Sequence, residues 1–248
     1  MARRASTPDG RAGQPGTTLN PGLPTDPGLR REHLTRPRVV SAALAIVDRD
    51  GLEGLTMRAL GRELSVDPMA AYHWFPDKAA ILQGVAEAIL AEIELPGADD
   101  GASWLDVAAA LGRVYRATLL RHPKALPVAS TQPVMTPRGF ELIERTSAAL
   151  VAGGLRPGAA LEAINTIAAF VIGAAVVEAG VTPGSEPVEH DTIMGAYANI
   201  DPGQFPTMVA AMSEATAILS DDELQFETAI DALVRGLEAS FRERGLLA

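Results

Sequence analysis

The sequence predicts an all-α protein: a small three-helix N-terminal domain followed by a larger helical domain. Apolar residues recur at helical spacing in one segment after another, and no stretch sustains the period-two alternation of a strand. Hydroxyl and carboxylate caps, first-turn prolines and trailing glycines fall where those helices have to begin and end.

Residues 1–33 are rich in Gly, Pro, Thr and Arg and poor in large apolar side chains, so a disordered tail is expected. Thr35 caps the first helix, Pro37 sits in its first turn, and Gly51 stops it. Val39, Val40, Ala43, Leu44 and Val47 form its apolar face. Thr56 opens the second helix, with Met57, Leu60 and Leu64 inward. After a turn at Ser65-Val66-Asp67, Asp67 caps a third, short helix that Pro68 begins. Its inward residues are expected to be Ala71, Trp74 and Phe75, leaving Met69, Ala70 and His73 outward and Tyr72 at the margin. A fourth helix over 77–95 is closed by Pro96-Gly97. Further helices are read over 104–121, stopped by His122-Pro123, and over 138–151, stopped by Gly153-Gly154. Three more cover 157–179, 206–219 and 221–244, with 180–203 a Pro- and Gly-bearing irregular connection. The expected organisation is a tail over 1–33, a three-helix domain over 34–80 with the 77–95 helix as connector, and a C-terminal domain over 96–248.

Composition narrows the function classes. The chain of 248 residues has a formal net charge of −10, yet residues 1–78 hold 11 Lys+Arg against 9 Asp+Glu, so the acidity belongs to the remainder. That balance argues against coating nucleic acid with the whole surface, while leaving room for one basic face. Without cysteine, disulfides, thiolate metal sites and cysteine nucleophiles are excluded. The longest apolar run, 167–177, falls short of the ~18 residues of a membrane span and continues into Glu178. The N-terminal arginines are followed by no apolar segment, so a secretory signal is not expected and a cytoplasmic protein is. His33, His73, His122 and His190 share no metal-ligand spacing, and no phosphate loop or nucleophile motif occurs. Neither enzymatic activity nor a metal or cofactor is expected.

The segment 55–78 carries the sharpest functional signal. Two short helices joined by a four-residue turn cannot make a core alone, and the helix at 35–50 supplies the support beneath them. In a helix-turn-helix the N-terminal half of the second helix enters the major groove. There Pro68 starts the helix, Met69 and Ala70 suit a thymine methyl, and Tyr72 and His73 reach phosphate or a base edge. Arg58 has the length for guanine or for phosphate. Lys78 lies in the first turn of a helix, where the macrodipole disfavours a cation. It either joins that helix end in holding a phosphate or pairs with Asp77 or a neighbouring glutamate. The tail arginines, Arg3, Arg4, Arg11, Arg30 and Arg31, either remain solvated, the plainer reading, or brush the DNA.

Residues 35–95 resemble the N-terminal domain of the tetracycline-repressor (TetR) family of bacterial transcriptional regulators. The matching pieces are Leu55-Thr56-Met57-Arg58-Ala59-Leu60, Val66-Asp67-Pro68, Ala71-Tyr72-His73-Trp74-Phe75 and Pro76-Asp77-Lys78. The resemblance implies Thr56, Tyr72 and Lys78 on phosphates, Arg58 and residues 68–73 facing bases, and Phe75 as a buried anchor. Trp74 stands where the family usually has histidine. Ser65 occupies a turn position often taken by glycine, where a left-handed backbone carries strain. Gly61 replaces a usual alanine and Ala71 a usual leucine, which should loosen the packing.

Beyond residue 100, Trp104, Leu120-Arg121-His122-Pro123 and the long apolar helix resemble the ligand-binding half of the same family. The last helix carries one broad apolar stripe and the 157–179 helix is apolar on two sides, and a helix apolar on both sides must be covered on both. One cover is the chain's own core; the other is either a partner subunit or more of the same monomer. With the resemblance, a homodimer is expected, with Ile164, Ile167, Val171, Ala174, Ile230, Leu233, Leu237 and Phe241 at its interface. Such a dimer would place two headpieces in successive major grooves of a palindromic double-stranded DNA operator. Trp104, Tyr115, His122, Met135, Phe140, Asn165, Thr166 and Phe170 are the candidates for a pocket binding a small-molecule inducer, set against the alternative that they are core. The expected function is a repressor released from DNA by that ligand; the alternative is a dimeric regulator that binds no small molecule or answers to a protein.

Overall fold

Thr35 opens α1 (Arg36–Gly54) by accepting from the Arg38 N–H at 3.4 Å, and Gly51, at φ 75°, breaks its helical path. The computed structural model describes residues 34–94, 102–131, 136–180, 192, 195, 199–219 and 221–247. The tail, Pro96-Gly97 and most of the 180–203 connection lie outside these. Two short pieces follow: α2 (Met57–Leu64), capped by the Thr56 hydroxyl on the Ala59 N–H, and a 3-10 helix, Pro68–His73, capped by Asp67. The connector α3 (Lys78–Ala91) starts at Asp77, whose carboxylate accepts from the Ala80 N–H at 2.8 Å. Val39, Ala43, Ile46 and Val47 of α1 and Ile81, Val85 and Ile89 of α3 join the buried core, with Leu60 of α2.

The larger part is built around α4 (Trp104–Arg121), which starts with a reciprocal cap between Ser103 and Asp106. A 3-10 turn, Pro123–Ala125, and a short α5 (Leu126–Thr131) come next. Neither was expected from the sequence, where His122-Pro123 reads as a stop. Ala125, Leu126, Val128 and Ala129 anchor this stretch by burial. Then come α6 (Pro137–Ala152), α7 (Pro157–Glu178), α8 (Pro206–Leu219) and α9 (Asp222–Glu243). Among the described residues there is no sheet, only an isolated antiparallel bridge between Leu155 and Leu247 that pins the chain end beside the α6–α7 turn. By length and composition α7 could cross a membrane. One of its sides, however, is core, at Ala160, Ala163, Ile167 and Val171, while Glu162 pairs with Arg244 and Glu178 with Arg116.

Charged clamps on α4 tie these helices together. Arg116, only 8% exposed, donates to Glu178 on α7 and Glu223 on α9 and stacks on the Phe226 ring at 4.7 Å. Arg113 reaches Glu227 with two nitrogens at 2.7 to 3.0 Å. The N-terminus of α4 sits so tightly on the α6–α7 turn that a Cβ on Gly153 would lie 2.4 Å from the Trp104 nitrogen, which donates to the Gly153 carbonyl.

Gly153→Ala is therefore expected to cost about 1–3 kcal/mol of stability, the usual range for overpacking, seen as a lower thermal midpoint. Acid should also destabilise the fold. Hydrogen bonds from Ser103, Arg244 and Arg113 hold Asp106, Glu162 and Glu227 below the ordinary carboxylate range. Burial pushes Glu92 up, but Arg121 and His122 pull it further down. A depressed carboxylate stabilises above its unfolded value and loses that contribution as pH falls through its folded value. The midpoint should hold from neutral pH to about pH 5 and drop below about pH 4; a midpoint flat to about pH 3 would contradict the assignment.

Candidate nucleic-acid interface

Six residues of 3-10 helix have too few internal bonds to hold their own shape. Three tethers supply what is missing. Ser65 ends α2 in the left-handed region at φ 55°, turning the chain toward Pro68 at some cost in strain. The Asp67 carboxylate accepts from the Met69 N–H at 2.7 Å. Ala71 and Phe75, 2% and 1% exposed, sink into the core, and the Arg36 guanidinium covers the Phe75 ring at 4.8 Å.

The consequence is an outward display. Met69 is 67% and Tyr72 41% exposed, and His73 is exposed beside them. Thr56 and Arg58 are exposed at the start of α2, while Pro68 and Ala70 are half-buried. Trp74 departs from expectation: it is 39% exposed and lies edge-on to His73 at 5.5 Å between ring centroids. The Phe75 N–H bonds to the Ala71 carbonyl, so the inward pair is 71 and 75, and the intervening Trp74 is turned out. Lys78 is exposed and its ammonium donates to the Leu52 carbonyl at 3.2 Å, rather than pairing with Asp77, whose carboxylate is the α3 cap. That bond steadies the cation at the end of α1.

Gly61 also departs from expectation. A Cβ there would lie 2.9 Å from the Pro68 Cα and 3.0 Å from the Val66 carbonyl oxygen. The glycine lets α2 and the 3-10 helix approach closely, so it tightens the unit it was expected to loosen.

In the C-terminal part the eight pocket candidates do not converge. Trp104 is core, packed on Phe241 at 5.9 Å, and burial pushes the Tyr115 hydroxyl up to about 12. Phe140 is 51% exposed, Asn165 is exposed, and the Thr166 hydroxyl donates back to the Glu162 carbonyl. Phe170 stacks on Phe226 at 5.6 Å, Met135 lies outside the described residues, and His122 is engaged by Asp48 and Glu92. Of the seven that are described, Phe170 alone lines either of two clefts. One, about 510 Å³, runs between α7 and α9 past Val177, which is 80% exposed. The other, about 220 Å³, lies between α3 and α6 and is lined by Glu87, Leu90, Arg138, Leu142 and Arg145. Sequence reading missed this second cleft; its signal was the pair Arg138 and Arg145, two turns apart on one helix.

The expected subunit interface needs correction as well. Ile167, Val171, Ile230 and Phe241 are fully enclosed by their own chain, while Ile164, Ala174, Leu233 and Leu237 are partly exposed. On each helix the richest apolar stripe serves the subunit's own core. What it leaves outward is Leu161, Asn165, Ala169, Gly173 and Val177 on α7, with Ala232, Gly236 and Ala239 on α9.

Residues 39–85 match the family model "Bacterial regulatory proteins, tetR family", and residues 95–241 match "Tetracyclin repressor-like, C-terminal domain". The chain is 34% identical over 145 residues to an HTH-type transcriptional regulator of Saccharopolyspora erythraea, covering 58% of this chain and 61% of that one. It is 32% identical over 142 residues to the HTH-type transcriptional repressor DrrR1 of Streptomyces coeruleorubidus, covering 57% and 53%. It thus spans little more than half the length of these relatives. Crystal structures of ActR from Streptomyces coelicolor superpose with a TM-score of 0.72 for the apo form and 0.71 for the complex with actinorhodin. Identity is 27% and 28%, over 85% and 84% of this chain and 98% of theirs.

Gly61→Ala should cost about 1–3 kcal/mol. Amide exchange at Ala71 and Phe75 should accelerate more than exchange within α4, because the strain falls on the turn. Uniform acceleration across the chain would argue against it.

Proposed function

The chain belongs to the tetracycline-repressor family, and on that premise we propose that it is a sequence-specific DNA-binding transcriptional regulator, a repressor released by a small molecule. The observation that carries the reading is the two-sided 3-10 helix: Ala71 and Phe75 anchored below, Met69, Tyr72 and His73 displayed above. In this reading residues 34–80 are the DNA-reading headpiece, α3 its connector and 96–248 the ligand-binding and dimerisation domain. Met69 and Ala70 offer apolar contact to a thymine methyl, and Tyr72, His73 and Arg58 reach base edges or phosphate. Thr56 and Lys78 serve as phosphate contacts that set register without reading sequence.

One headpiece makes few base contacts, so two are needed, spaced by about 34–36 Å to meet successive major grooves. The partly apolar faces that α7 and α9 leave uncovered suit a two-fold interface, and their small residues, Ala169, Gly173, Ala232 and Gly236, allow close helix approach. The clefts at Phe170 and at Arg138/Arg145 are the sites at which a ligand would act on that spacing. ActR was solved with actinorhodin, which supports the class of mechanism without naming the inducer here. Burial of Trp104 and Tyr115 in the core favours a second reading, a DNA-binding dimer that answers to no small molecule.

Selecting bound DNA from a random pool should return a palindrome with half-site centres one helical turn apart; recovery of no common sequence would refute the assignment. On the selected DNA, Tyr72→Ala and Lys78→Ala should each weaken binding by about tenfold, about 1.4 kcal/mol, with the thermal midpoint unchanged. Lys78→Ala should also flatten the salt dependence by about one counterion.

A further inference from the structure

His122 ends α4 and stands at the junction with α1 and α3. Its Nδ1 lies 2.9 Å and 3.0 Å from the two carboxylate oxygens of Asp48 on α1. Its Nε2 lies 3.2 Å from the Glu92 carboxylate, just past the end of α3. An ionised carboxylate only accepts hydrogen bonds, and a neutral imidazole carries a single N–H. A neutral His122 would therefore turn a bare lone pair toward one of two anions; only the imidazolium donates to both. The side chain is 12% exposed, so water supplies little relief.

The surrounding charges sharpen the dependence. Arg121, on α4, donates to the same Glu92 oxygen at 2.8 Å. Lys124, just beyond, donates at 2.7 Å to the Arg49 carbonyl on α1, and Arg49 itself is taken up by Asp50 and Glu63. Two carboxylates thus face His122 with one guanidinium beside them, and the imidazolium completes the balance. Further back along α4, Arg113 and Arg116 grip α7 and α9. One helix is thereby fastened at one level to the bundle and at its end to α1 and the tail of α3.

We propose that His122 is a positioning residue, a proton-dependent latch that fixes the orientation of the 34–94 headpiece on the C-terminal bundle and so makes DNA affinity depend on pH. The first half stands on contacts alone, and the link to affinity rests on the regulator reading above. Protonated, the latch holds α1 and α3 in one pose, and less freedom is lost when DNA is bound. Deprotonated, one carboxylate is left facing a lone pair and the headpiece is released.

Two measurements separate the parts. Without DNA, amide exchange of the full-length protein is followed at about pH 5 and about pH 8, either side of the imidazole range, and corrected for intrinsic rates. In the wild type, α1 and α3 should lose about tenfold in protection relative to α4 at the higher pH. In His122→Gln that protection should be low at both. A headpiece indifferent to pH, or a His122→Gln profile matching wild type, overturns the latch. Asp48→Asn, which removes the opposing charge, gives the same reading should His122→Gln fail to fold. With selected palindromic DNA, wild-type affinity should fall across the same range more steeply than that of His122→Gln. His73, on the DNA face, is present in both proteins, so any contribution from it cancels in their ratio. A latch seen by exchange together with no DNA binding would sink the regulator reading alone. Binding whose wild-type to variant ratio is constant with pH would sink the coupling.

Discussion

Burial of Ala71 and Phe75, the ring lying under Arg36 of α1 and beside Gly84 of α3, is the interaction on which the reading head depends. A 3-10 helix of six residues is held together by geometry imposed from outside it. Once the methyl and the ring are seated, the intervening backbone has one orientation, and Met69, Tyr72 and His73 can only face away. The close approach at Gly61 and the left-handed Ser65 serve the same end: they bring Pro68 to the start of the helix at the required angle. Strain at Ser65 is tolerable because it is offset by the two anchors.

The larger part obeys a different rule. Its helices are apolar enough to associate in many ways, and the arrangement is selected by a few charged contacts placed among them. Arg116 is the clearest case. Burying a guanidinium is unfavourable unless its donors are met, and Glu178, Glu223 and the face of Phe226 meet them in one arrangement of α4, α7 and α9. A misregistered helix would leave that charge uncompensated. The same helix carries His122 and Arg121 at its far end, so bundle and headpiece are referenced to a single strut.

Much of this was legible along the chain. Thr35, Thr56 and Asp67 start the helices their positions suggest, and the bounds of α4, α7 and α8 fall within a residue of expectation. Capping and periodicity are local, and local rules are what a sequence displays. The failures are equally specific. Trp74 was assigned inward by its bulk, but the core seats one large ring there and Phe75 takes it. Ile167, Val171, Ile230 and Phe241 were assigned to a partner because they form the strongest stripes, and the strongest stripe goes to the subunit's own core. His122, a candidate for the pocket, is held by Asp48 and Glu92, 74 and 30 residues away, a pairing that no local pattern displays.

By itself the sequence determined the longer helices, the starts at Thr35, Thr56 and Asp67, the turn that joins α2 to the 3-10 helix, and the outward placing of Met69 and His73 there. Each of these depends on residues within about one or two helical turns of one another. Which apolar face is core and which remains uncovered, where the clefts open, and how Arg116 and His122 are engaged were decided by the tertiary structure. Those outcomes hinge on contacts between helices far apart in the sequence. There, packing volume and charge satisfaction discriminate, and no local pattern records them.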